Sequence, residues 1–353
     1  MTLGSDHYIP LLRAKQGELQ ALEMASPIVR GRMTPLVDVL SEDADNGQQD
    51  IDRLVSRLKD GWGANDRVIV DINSLGDATG PNGDHLVRYL CEISRTAGLS
   101  AVPAAWLASS AAFIAEVANA AAADGCGACL RITTNDLQDP AQMALDIQTT
   151  LVDLSLPAAD VDLIIDMGLV DANTIGLHAA LLSVVLPALP FLPDWRSLTL
   201  AAGAFPLNLD AFSSYIPGTT PRYDAQLWRR LAARTLTRTP GFGDYGVTHP
   251  VAVAAGPWRG APNLRYTLAD DWYVIKGSTR SPRGNYDFHD LCNQVAASTP
   301  NPLRPAGFSW GDTEIRRCAT GVGGPGGGTQ WRAWATSHHL AEVTERLATL
   351  GEP

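Results

Sequence analysis

Val161-Asp162-Leu163-Ile164-Ile165-Asp166-Met167 is the stretch on which the reading of the fold turns. Its centre runs Leu-Ile-Ile without a polar break, where a strand with one wet face would alternate; such a run belongs to a strand covered on both sides. A helix-like stretch lies before it at 140–154 and another after it at 173–185. The same grammar extends outward in both directions. Apolar runs at 8–12, 34–39, 67–72, 101–105, 128–132, 161–167, 197–202 and 247–254 begin about 34 residues apart on average, close to the strand-plus-helix length of a (β/α)8 barrel of roughly 250 residues. Between them, residues 15–25, 49–59, 83–96 and 107–123 read as helices. In 49–59, Ile51, Leu54, Val55 and Leu58 make the i, i+3, i+4, i+7 stripe of a helix lying on a sheet. Strand then helix, repeated, means parallel strands joined by crossovers. An open doubly wound sheet would give the same local pattern, so the count of eight decides for the α/β class and a TIM-like barrel.

The expected division is a barrel over residues 1–260 and an extension over 261–353, packed together as one structural unit. Within the extension, 263–268 and 272–276 joined by Ala269-Asp270-Asp271 read as a β-hairpin, and 285–297 as the eighth barrel helix. The stretch 321–328 holds six glycines beside Pro325 and suits a mobile lid or docking loop, and 331–350 reads as a helix or a short strand leading into one.

Bulk properties remove whole classes of function. The 353-residue chain carries a net charge of −11, which argues against binding extended duplex nucleic acid, since that requires clustered Lys and Arg to neutralise phosphates. A local basic pocket stays open. No apolar stretch reaches the roughly 18 residues of a membrane span; the nearest, 181–192, is interrupted by Pro187 and Pro190. The amino terminus lacks the pattern of an export signal. The five cysteines are an odd set, and Cys126-Gly-Ala-Cys129 has no second ligand pair for zinc, so the expectation is reduced thiols in a cytoplasmic protein.

In such barrels the reactive groups stand at the carboxyl ends of the strands. That rule selects Lys15 just past the first run, Asp38 on the second, Asp71 and Asn73 on the third, Arg131 and Thr133 on the fifth, Asp166 on the sixth, and His249 inside the eighth. Carboxylates can equally cap the helices that follow. A divalent metal held by them is possible, although no H-x-H or H-E-x-x-H spacing supports it. A second, denser group lies downstream: Asp244 and Tyr245 beside His249, then Arg265 and Tyr266, Lys276, Asp312, Trp331 and Arg332, and the vicinal pair His338-His339, of which at most one side chain, taken as His339, can face a common site. Cations and aromatics beside glycines suggest an anion-binding pocket floored by aromatic rings. Trp272 and Trp310 fit the core as well as a ligand platform, Arg265 has Asp270 and Asp271 as alternative partners, and Arg280 and Arg283 suit a solvated loop.

These same residues carry a resemblance. Tyr8-Ile9-Pro10-Leu11-Leu12-Arg13-Ala14-Lys15-Gln16-Gly17-Glu18, the G-D-Y-G-V-T-H-P stretch, N-L-R-Y-T, V-I-K-G, F-S-W-G-D, W-R and H-H resemble the Beta protein family of phages, prophages and bacteria. The resemblance implies a phage- or defence-related setting and names no reaction.

Two expectations follow. The first is a hydrolase of phosphodiesterase or nuclease type acting on a nucleotide-like ligand. In it His249 is acid or base, Asp71 or Asp166 orients it or holds an ion, and Lys15, Arg131, Asp244, Tyr245, Arg265, Tyr266, Lys276, Asp312, Trp331, Arg332 and His339 hold the substrate. The second is a recognition protein that binds the same small anionic ligand while a partner chain acts.

Overall fold

The computed structural model describes residues 2–40, 46–63, 66–80, 82–251 and 260–353. Eight strands close into a parallel ring: β1 (Ile9–Arg13), β2 (Leu36–Asp38), β3 (Arg67–Asp71), β4 (Ser100–Trp106), β5 (Ala128–Thr133), β6 (Val161–Leu169), β7 (Ser197–Gly203) and, after a short outer strand β8 (Gly218–Pro221), β9 (Gly241–Asp244). β9 lies parallel to both β7 and β1 and so seals the ring. The protein is a (β/α)8 barrel of the TIM type, and β6 shows why its sequence looks as it does. Leu163, Ile165 and Met167 pack outward against helices, while Ile164 joins Ile9, Leu36, Ile69, Val102 and Cys129 inside. Asp162 and Asp166 share that inner face at the two ends of the strand. Asp162 is neutralised on the barrel floor by Arg67 (2.6 Å) and Arg196 (2.7 Å), which holds it below the usual carboxylate range despite its burial.

Helices follow the strands β1 to β7 in order: α1 (Gln16–Glu23) with the short α2 (Pro27–Arg30), then α3 (Gly47–Gly61), α4 (Leu86–Thr96), α5 (Ala111–Asp124), α6 (Pro140–Leu154), α7 (Ile175–Ala188) and α8 (Tyr223–Ala232). Local signals fix their starts: Ser110 caps α5, and Asp139 accepts from Ala141 and Gln142 at the head of α6, where Pro140 occupies the first turn.

The extension forms a second layer. β10 (Asn263–Thr267) and β11 (Asp271–Lys276) make the expected hairpin, and β8 adds to it as a third antiparallel strand. α9 (Asp287–Ala296), α10 (Trp310–Ala319) and α11 (Gly328–Leu350) cover it. α11 belongs to both layers: Trp331 and Trp334 enter the core beneath the hairpin, and Leu340, Val343 and Leu347 enter the barrel core. α10 crosses it so closely that a Cβ at Gly311 would stand 2.0 Å from the Trp334 carbonyl oxygen, which is why that position is glycine.

Three expectations are corrected here. The eighth barrel strand is 241–244, not 247–254; residues 247–251 form the loop leaving it, and 252–254 lie outside the described residues. The segment read as the eighth helix, now α9, packs in the second layer, and α11 covers the ring between β9 and β1. The glycine-rich segment is pinned rather than lid-like: Trp331 donates to the Pro325 carbonyl (2.7 Å), Asn285 to that of Gly326 (3.1 Å), and Arg317 to that of Gly324 (3.2 Å).

Candidate functional site

The carboxyl end of the barrel holds two distinct assemblies. The inner one is built on Arg131 of β5, whose guanidinium donates to Asp166 through Nε (3.0 Å) and Nη2 (2.6 Å), to Asp71 through Nη1 (2.8 Å) and to the Tyr245 hydroxyl (3.0 Å). Trp106 Nε1 gives Asp71 a further bond (2.8 Å), and Tyr245 donates to Asp166 (2.5 Å). Asp38 stands 3.7 Å from the same guanidinium. Burial and the neighbouring Asp71 push its carboxyl up to about 7, with Arg131 and Arg13 opposing the rise. The cation that satisfies these carboxylates is therefore a side chain of the chain itself. Among the described residues no group of three or more His, Cys, Asp or Glu is placed to hold a metal ion.

The outer assembly is a cavity of about 580 Å³. Its cations come from four places in the sequence: Arg13 closes β1, Lys15 follows it, Arg265 and Lys276 sit on the hairpin, and Arg332 opens α11. Asp210 is the one carboxylate among the described lining residues. Arg13 is buried and donates to the carbonyls of His249 (2.7 Å) and Pro250 (2.8 Å), so it shapes the loop after β9. Arg265 lies over the Phe205 ring (4.7 Å) and donates to Asn263 (3.1 Å) and to the Val247 carbonyl (2.8 Å). The alternative pairing with Asp270 or Asp271 is not made. Burial and the adjacent Arg332 hold the Arg265 guanidinium well below its usual range. Burial also lowers Arg332, which Glu18 beneath it (4.0 Å) partly offsets. Lys276 Nζ donates to the Leu209 carbonyl (2.7 Å). Like charges gathered around one concavity oppose one another, as Arg332 does Arg265, and an anion entering the cavity relieves that cost.

The predicted residues sort into three places. Lys15, Arg265, Lys276, Arg332 and His249 line the cavity. Asp71, Arg131, Asp166 and Tyr245 form the inner network. Asp244, Tyr266, Asp312, Trp331 and His339 are buried in the framework that carries α11. There His339 bonds Asp244 (2.8 Å), the Tyr8 hydroxyl (3.1 Å) and Thr267 (2.8 Å). Tyr266 donates to Asp312 (2.6 Å), and Trp331 stacks on Phe288 (5.0 Å). His338, fully buried too, bonds Asp312 (3.0 Å) and stacks on Tyr266 (3.7 Å).

Two further expectations need correcting. His249 lies in the loop beyond the strand, and its Nδ1 accepts from the Val251 N–H (3.1 Å); Asp71 and Asp166 are committed to Arg131 and do not orient it. The aromatic floor is absent among the described lining residues, because Trp272 and Phe205 are buried beneath it. Sequence reasoning passed over Arg13, Glu18, Asp210 and Trp106. Arg13 was within reach, since it is the last residue of its strand; Asp210 sits in a loop that carries no periodic signal.

A larger apolar hollow of about 880 Å³ lies at the other end of the barrel, against the C-terminal turns of α6 and the loops entering β6 and β7. Barrel enzymes keep their chemistry at the opposite rim.

Comparison with known proteins adds a family to this geometry. The Beta protein family model matches residues 8–345, from the first strand to the last helix. The chain belongs to the Beta protein family. The matched span includes every cavity residue named above. No curated protein matches it. Among solved structures it is similar to triosephosphate isomerase from Bartonella henselae, at 16% identity and a TM-score of 0.36, over 67% of this chain and 91% of that one. No helix among the described residues is long and apolar enough to cross a membrane.

Proposed function

We propose that the mouth cavity binds a small phosphate-bearing anion. The observation that carries this reading is the grouping of Arg13, Arg265 and Arg332 with Lys15 and Lys276 around one concavity whose described lining holds a single carboxylate. Guanidinium forks match phosphate oxygens in geometry as well as charge. The cavity falls in the size range of small-molecule sites and stands at the rim where barrels bind ligands. Resemblance to phage and prophage relatives supports a phage- or defence-associated setting.

Hydrolysis of the bound ester is the finer reading, and one observation favours it. His249 lines the same cavity, and burial together with Arg13 lowers its imidazole from the ordinary value, which leaves the ring neutral at pH 7, with Nδ1 able to accept a proton once the Val251 N–H bonded to it is released. Recognition without turnover, with a partner chain acting on the complex, is the alternative.

Calorimetric titration with phosphate monoesters, diesters and cyclic nucleotides tests the binding reading. The expected result is saturable binding that weakens with salt and falls at least about tenfold in Arg265→Ala. No binding by any compound, or binding unchanged in that variant, defeats it. Turnover in the same panel, with and without Mg²⁺ or Mn²⁺ and lost in His249→Ala, separates hydrolase from recognition protein.

A further inference from the structure

Two unlike groups of residues line the mouth cavity. One is cationic: Arg13, Arg265 and Arg332, whose charges oppose one another, with Glu18 buried 4.0 Å from Arg332. The other comes from the loop after β7, which brings Asn208, Asp210 and Ser214 to the wall. That loop is fastened to the hairpin: Ser214 bridges to Lys276, the Tyr215 N–H donates to the Lys276 carbonyl (2.6 Å), and Lys276 Nζ returns to Leu209 (2.7 Å). Asp210 is exposed within the cavity, its backbone N–H bonded to Asn208 Oδ1 (3.0 Å).

A carboxylate on the wall of a cationic cavity works against a ligand that is all phosphate, because like charges repel. It suits a ligand that carries phosphate at one end and hydroxyl groups at the other, since a carboxylate accepts hydrogen bonds from hydroxyls and the amide of Asn208 and hydroxyl of Ser214 can both donate and accept. Protein stacking platforms for nucleobases are built chiefly from aromatic side chains, with arginine adding to them. Phe205, the ring at the site, is 1% exposed and covered by Arg265, and no aromatic side chain stands among the described lining residues.

Building on the reading that this cavity binds a phosphate-bearing anion, we propose that its ligand is a phosphorylated polyhydroxy compound, a sugar or polyol phosphate. Its phosphate sits on Arg13, Arg265 and Arg332, and its hydroxyls are read by Asp210, Asn208 and Ser214.

The experiment is calorimetric titration of the full chain with inorganic phosphate, ribose 5-phosphate, glucose 6-phosphate, glycerol 3-phosphate and AMP, repeated on Asp210→Asn and Arg265→Ala. AMP is ribose 5-phosphate with adenine in place of the anomeric hydroxyl, so the pair sets a base against a hydroxyl at that carbon. The expected result is that at least one sugar or polyol phosphate binds about tenfold or more tighter than inorganic phosphate and no weaker than AMP. In Asp210→Asn that advantage shrinks about tenfold while the affinity for inorganic phosphate stays level or rises, because a negative charge has left the wall. AMP binding more than about tenfold tighter than every sugar or polyol phosphate overturns the proposal, as does an Asp210→Asn variant that keeps the full preference. In either case loss of binding in Arg265→Ala leaves the anion reading standing. Failure of every compound to bind the unaltered chain takes both readings down.

Discussion

Arg131 and Asp71 meet at 2.8 Å across the barrel interior, one from β5 and the other from β3, with neither side chain more than 5% exposed. The guanidinium acts as the hub of the upper barrel: it bonds Asp166 as well and lies within 5.0 Å of the Trp106 ring centre.

Removing that hub strands two buried carboxylates. Arg131→Met is expected to destabilise the fold by about 3–5 kcal/mol, the range for breaking a buried ion pair from one side. Urea denaturation followed by circular dichroism measures it. A loss below about 1 kcal/mol would mean that water or a rearranged partner satisfies Asp71 and Asp166.

Asp38 gives the barrel a pH dependence of definite sign. Its carboxyl titrates at about 7 in the fold, above its unfolded value, so the native state binds the extra proton between those limits. The resulting contribution is fully present below about pH 4 and is lost as pH rises through about 7. In Asp38→Asn the denaturation midpoint should fall less between pH 5 and pH 8 than it does in the parent chain. Parallel profiles for the two proteins would refute this assignment.

His339 should report on architecture rather than on ligand. Fully buried between Asp244, Tyr8 and Thr267, it is expected in the His339→Leu variant to cost about 2–4 kcal/mol, because three partners lose a bond at once. Affinity for inorganic phosphate, measured at a temperature where the variant remains folded, should change less than about twofold. A large loss of affinity with stability intact would return His339 to the binding site.

Seven strands of the ring were legible because a parallel strand buried on both faces leaves an uninterrupted apolar run, as Val68-Ile69-Val70 and Leu163-Ile164-Ile165 do. The eighth was hidden by the closure itself. In Gly241-Phe242-Gly243-Asp244 a Cβ at Gly243 would lie 2.8 Å from the Ile9 carbonyl oxygen and 3.1 Å from Ala201 Cβ, so the tight approach of β9 to its neighbours removes the bulky residues by which strands are recognised. The stronger signal at 247–254 drew the reading away. α11 was read as extension because sequence distance conceals which layer a helix serves, and β8, with Gly-Thr-Thr-Pro, has no apolar run at all.

Site residues were harder to sort, for a physical reason. Buried polar frameworks and ligand pockets recruit the same residue types, so Tyr266, Asp312 and His339 could not be told from Lys15, Arg265, Lys276 and Arg332 by composition. His339 and Arg265 differ in the kind of partner they have. His339 has a partner on each ring nitrogen, whereas Arg265 has carbonyl and amide oxygens and no carboxylate.

Every barrel strand has been synthesised once residue 244 has been added, yet the flank between the last strand and the first waits for α11. A chain halted between the two has every barrel strand but lacks the helix that covers that seam. The cationic mouth, which borrows Arg332 from the same late helix, cannot be complete before that helix is made.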